Sequence, residues 1–175
     1  MTGEKLLNDL GVRIYQKPLS NIRELSTWPS LSNPLHVAVL LIDFDTEVAM
    51  NSILGFLENS TGAYLDQTID ALYLLRADAT AETMRQIRDV MTKHKVSHES
   101  LRSPHQNTTE YQITSFAELH GPSLDGFADE VCRIADDLYI HNRSKESPFP
   151  LLEAFLERHK TEILSEIERL EKEHS

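Results

Sequence analysis

The residues best placed to do chemistry are carboxylates at helical spacing. Asp43, Asp45 and Glu47 stand inside an apolar run, and Asp43/Glu47, Asp66/Asp70 and Asp125/Asp129 are each four residues apart. On a helix such pairs lie about 5–6 Å apart on one face, comparable with the spacing of phosphates along a nucleic-acid strand. Three uses follow from the residue types: acid–base work by paired carboxylates, ligation of a cation, or display of negative charge to a basic protein.

The first two lack supporting residues. Ser60 and Ser123 sit near helix starts without a Gly-x-Ser-x-Gly elbow, and the six glycines never cluster to cradle a phosphate. His120 precedes Gly121-Pro122 and reads as a terminal-turn residue rather than a base. His94 and His98 have the i,i+4 spacing of a zinc pair but no intervening Glu and no third ligand nearby. Asp43, Asp45 and Glu47 lack the glycine and twelve-residue frame of a calcium loop. Cys132 is the single cysteine, so neither an internal disulfide nor a thiolate metal site is available; it reads as a small buried residue on a helix. A non-enzymatic protein with no cofactor and no metal is expected.

Display of charge fits the composition. The net charge is −11, and it is unevenly spread. Residues 24–75 hold seven acids, and residues 103–132 hold five (Glu110, Glu118, Asp125, Asp129 and Glu130), with no Lys or Arg in either window. The remainder is close to neutral. Such a field repels nucleic acid and anionic membranes and favours a basic protein partner, or serves solubility alone. No apolar run approaches the roughly 20 residues a bilayer requires, and no basic-then-apolar leader opens the chain, so a cytoplasmic protein is expected.

The elements that position these residues are helical. Glu4 to Leu10 reads as a short helix stopped at Gly11, and Asn21 to Leu25 as a turn or two capped by Ser20. Ser26 to Pro34 is a loop around Trp28. Asn33-Pro34 then starts one long helix from Leu35 to about Glu58, with a kink admissible near Asn51. Its wheel puts Val37, Leu41, Phe44 and Val48 on a core face. His36, Asp43, Glu47, Asn51 and Glu58 lie opposite, and Asp45 falls on the apolar half, where it needs donors or a raised pKa. Further helices are expected over Gly62–Arg76, Thr80–His94, Thr109–Leu119 and Ser123 to about His141, with a loop over His98–Asn107. The last runs from Leu151 to about His174, its stripe of Leu152, Phe155, Leu156, Ile163, Ile167 and Leu170 serving its own core or a twin. The fold class is all-α: a single-domain bundle of about six to eight helices around a central hydrophobic helix. The N-terminal segment is 1–34, the core 35–141, and the loop with the C-terminal amphipathic helix 142–175.

Residues 37–75 carry a pattern: an apolar helix, then Asp45-x-Glu47-Val48-x-x-Asn51, then Phe56-Leu57-x-Asn59-Ser60-x-Gly62-x-Tyr64 and an amphipathic helix. It resembles the small acidic DNA-mimic protein family described from Neisseria, which coincides with a widespread bacterial domain of unknown function. That family typically has two glycines after the first Asn, where this chain has Ser52-Ile53, so a helix that runs on stays open beside a kink there. The resemblance implies an all-helical acidic protein, dimeric, whose described member shows phosphate-like carboxylates to a helix-turn-helix transcription regulator and relieves its hold on DNA. The candidates for display here are Asp43, Glu47, Glu58, Asp66, Asp70, Asp125, Asp129 and Glu130. Asp45, Asn51, Asn59, Ser60 and Gly62 read as structural members of the motif. A second reading stays open: an immunity or antitoxin protein neutralising a basic toxin such as a nuclease.

Overall fold

Asn33 and Pro34 start the element on which the others pack. In the computed structural model, which describes residues 1–102 and 115–173, the Asn33 side chain accepts from the Leu35 N–H at 3.0 Å. Pro34 occupies the first turn of α2 (Pro34–Glu58), where its missing N–H leaves nothing unpaired. Every residue from Leu35 to Phe44 is buried. A helix apolar on all sides belongs inside a protein, and α2 is touched by α1 (Gly3–Arg13), α3 (Leu65–Leu74), α5 (His98–Arg102), α7 (Asp125–Ala135), α8 (Phe149–Arg158) and α9 (Lys160–Glu173). The two-faced wheel expected for this helix is therefore corrected over its first three turns. The face bearing His36 and Asp43 is also covered, leaving them 2% and 5% exposed.

Of the two courses open to α2, it takes the kink near Asn51. Ser52 has φ 64° and ψ 178°, a conformation almost reserved for glycine, and it breaks the helix one residue after Asn51. Ile53, Phe56 and Leu57 then return to the core. After Glu58 a short 3-10 turn, Ser60–Tyr64, leads into α3. Gly62 is obligatory in that turn: a Cβ there would come within 2.5 Å of the Leu57 carbonyl oxygen.

The remaining elements are α4 (Asp78–His94) and α6 (Phe116–His120), and no strand occurs among the described residues. α4 packs against both α3 and α7, and α8 lies along α1. One apolar core extends from Leu6 to Leu170. Among the described residues no helix is long and apolar enough to cross a membrane.

Several boundaries differ from the sequence reading. α1 continues through Gly11 to Arg13, and the Ile14 N–H closes its last turn on the Leu10 carbonyl. His98–Arg102, expected in a loop, is a helical turn. The helix expected over Thr109–Leu119 lies partly outside the described residues, and what is described is α6, started by a capping box of Ser115 and Glu118. Ser123 does not cap; it lies in a 3-10 turn ahead of α7, which ends at Ala135 rather than near His141. The last helix is two, broken at His159, whose ring lies 4.5 Å from that of Phe155. The break lets α8 pack on α1 while α9 reaches α2 and the turn at Leu19–Glu24. Leu152, Leu156, Ile163, Ile167 and Leu170 are all buried within the single chain.

Candidate functional site

Each carboxylate of α2 is held from within. Asp43 receives two charge-assisted bonds from Arg23, Nε to Oδ2 at 2.8 Å and Nη2 to Oδ1 at 2.6 Å. Arg23 also donates to the Ile14 carbonyl at 2.7 Å and lies over the Tyr15 ring. Asp45, half-buried, accepts from the Tyr139 hydroxyl, and burial holds its carboxyl above the usual carboxylate range. The same burial, followed by the charge of Asp45, raises the Tyr139 phenol. One oxygen of Glu47 accepts from Asn51 Nδ2 at 2.9 Å and from Asn59 Nδ2 at 2.6 Å. It thus ties the turn before the Ser52 break to the residue that ends the helix. Glu58 meets His120 Nε2 at 2.6 Å, with side chains 12% and 3% exposed.

Display by Asp43 is thereby corrected: a carboxylate forked by an arginine and 5% exposed faces no partner. Glu47 and Glu58 are intermediate in exposure and already engaged, so they brace α2 in this structure. Asn51 and Asn59 are donors in that brace, and Ser60 is exposed in the turn that follows.

The other five candidates lie elsewhere. Asp66 and Asp70 are exposed on α3; Asp125 and Asp129 are exposed on α7, and Glu130 is partly exposed beside them. Both helices flank α4, so the two i,i+4 pairs sit on either side of one surface. α4 adds Asp78, Glu82 and Asp89, in a segment whose formal charge is offset by Arg85, Arg88 and Lys93. Those cations are tied down. Arg85 binds Glu82 at 2.6 Å and Asp89 at 2.8 Å, Arg88 binds Asp66 at 3.1 Å, and Lys93 binds Glu130 at 2.8 Å. Lys93, then His94, holds the Glu130 carboxyl below its ordinary range. Asp70, Asp125 and Asp129 form no ion pair among the described residues. The three helices carry eight carboxylates against four Lys or Arg, and the surface is acidic with three of those four cations, all but the exposed Arg133, held in ion pairs.

His94 and His98, four residues apart, turn to different partners. Lys95 takes a left-handed conformation that ends α4; His94 turns to Glu130 at 2.9 Å and His98 to the Leu57 carbonyl at 3.0 Å. No group of three metal-ligating side chains occurs among the described residues. Cys132, expected to be buried, is exposed on α7, because that helix lays only Phe127, Val131 and Ala135 on the core.

Three partners in the site were not legible. Arg23, Tyr139 and His120 lie 20, 94 and 62 residues from the acids they meet. The one available signal was local: Arg23 stands next to a window of fifty-two residues without another Lys or Arg.

Comparison with known proteins gives a match to the family model described as DMP19-like protein, over residues 29–159. No curated protein and no solved structure matches the chain.

Proposed function

We propose that this chain, which belongs to the DMP19-like protein family, is a non-enzymatic acidic binding protein. Its α3–α4–α7 surface occupies the basic DNA-binding surface of a partner, a helix-turn-helix transcription regulator being the kind of partner the resemblance implies. The match covers three quarters of the chain and includes every residue of that surface. The observation that carries the reading is the placement of Asp66/Asp70 and Asp125/Asp129 as exposed helical pairs on either side of α4. Asp70, Asp125 and Asp129 form no ion pair among the described residues, and they retain the charge that a DNA-binding surface is built to meet.

Such a surface competes with DNA because it offers negative charge at phosphate-like intervals without bases. Its contacts lie at the protein's exterior, so salt screens them over a Debye length of about 8–10 Å. Immobilised protein should capture a DNA-binding protein from lysate, and duplex DNA should release it. Capture that ignores added DNA, or that survives neutralisation of the two pairs, would overturn the reading.

A further inference from the structure

A groove of about 390 Å³ runs where α1, α2 and α8 meet. Its walls are Leu7, Ile42 and Phe149, and its polar lining includes Asn8, Asp45 and Glu153. Gly11 lies on its edge, and a Cβ there would touch nothing within 4 Å, so α1 leaves the groove open on that side. Tyr139, which donates to Asp45, packs edge-on against the Phe149 ring with centroids 6.5 Å apart.

The charges in this groove differ from those on the rest of α2. Asp43 has Arg23 and Glu58 has His120, but neither Asp45 nor Glu153 forms an ion pair with any described residue. A half-buried carboxylate without a cation is costly to keep ionised, in line with the direction in which burial moves Asp45. A cation delivered from outside would remove that cost. An arginine suits the space: its stem is apolar like the walls, and its planar guanidinium can fork a carboxylate and lie over an aromatic face.

We propose that this groove is an anchor subsite for an arginine side chain of the basic partner, with Asp45 and Glu153 pairing the guanidinium and Phe149 lining its flank. The proposal rests on the reading of the protein as a binder of basic partners. It adds a contact on a different set of helices from the α3–α4–α7 surface, with pairing by half-buried rather than exposed charge.

The test uses acetyl-arginine amide as probe and acetyl-citrulline amide, its neutral isostere, as control, each titrated into isotopically labelled full-length protein and followed by amide NMR shifts. The expected result is saturable movement at Asn8, Gly11, Thr46 and Glu153 with the arginine probe and none with citrulline. Asp45→Asn keeps an acceptor for Tyr139 and should weaken the response roughly fivefold or more, since a charge-assisted bond is about twice as strong as a neutral one. Gly11→Leu gives a better helix former beside open space and should abolish the response while the protein stays folded. Equal response to citrulline, movement confined to other residues, or a response untouched by both variants would overturn the subsite. The two readings fail separately. Capture that DNA competes but Gly11→Leu leaves intact removes the anchor alone. Arginine binding in the groove by a protein that captures no DNA-binding protein removes the mimicry alone.

Discussion

Arg23 and Asp43 form a forked ion pair between the turn at Leu19–Glu24 and the buried middle of α2, with side chains 27% and 7% exposed. The pair fixes the N-terminal segment onto the central helix and spends an acid that, by spacing alone, belongs with the displayed ones. Arg23→Met strands a buried carboxylate and should cost about 2–4 kcal/mol, slightly below the usual range for breaking a buried pair because Arg23 is partly solvated. Replacing both residues, Arg23→Met with Asp43→Leu, should recover much of that loss. Urea denaturation of the single and double variants measures both values, and equal stability of the two would contradict the burial argument.

Ser52 offers a gain instead. Its φ of 64° with ψ of 178° is a strained conformation for a residue with a Cβ. Ser52→Gly should stabilise the protein by about 1 kcal/mol, the relief exceeding the entropy glycine adds to the unfolded chain. Thermal unfolding of Ser52→Gly beside Ser52→Ala checks it, with the alanine variant expected at or below the parent.

His36 makes stability depend on pH. It is 2% exposed, and its Nδ1 accepts from the Ser30 N–H at 3.1 Å, which the protonated ring cannot do. Burial lowers its pKa from the ordinary 6.5. The unfolded chain therefore binds the proton more readily than the folded one, and stability falls as pH drops below about 6.5 towards the folded value. Asp45 works in the opposite sense: its raised pKa makes the folded state bind a proton more readily, so stability declines as pH rises from the usual carboxylate range through the folded value. Trp28, the single tryptophan, lies 5.3 Å from the His36 ring. Its fluorescence during urea unfolding at pH 7.5 and 5.5 should show the loss, and His36→Gln should flatten it.

Much of this architecture is legible in the sequence because it is written locally. Asn33-Pro34 marks the start of α2, and the apolar stripe of Leu152, Leu156, Ile163, Ile167 and Leu170 identifies buried residues of the C-terminal helices. What periodicity cannot show is how many neighbours surround a helix. The wheel puts Asp43 opposite Val37 and Leu41, and only the packing of several helices around α2 reveals that both sides are interior. The break at His159 is hidden for a similar reason, since histidine permits helix and tertiary packing supplies the bend, whereas the sequence admits a kink near Asn51 without fixing its residue. In the candidate surface the pairs Asp66/Asp70 and Asp125/Asp129 were readable from spacing, as were the i,i+3 and i,i+4 pairs of Arg85 within α4, whereas the pairing of Arg88 with Asp66 and of Lys93 with Glu130 joins separate helices and appears only in three dimensions.

The surface account is tested most directly by neutralising its two pairs. The variant Asp66→Asn, Asp70→Asn, Asp125→Asn, Asp129→Asn alters only exposed side chains on α3 and α7, so its unfolding midpoint should stay close to that of the parent. Capture from lysate should be compared for parent and variant, with and without duplex DNA. The account predicts that the parent retains a DNA-binding protein that DNA displaces and that the variant does not retain. A protein held equally by parent and variant, and not displaced by DNA, would contradict it.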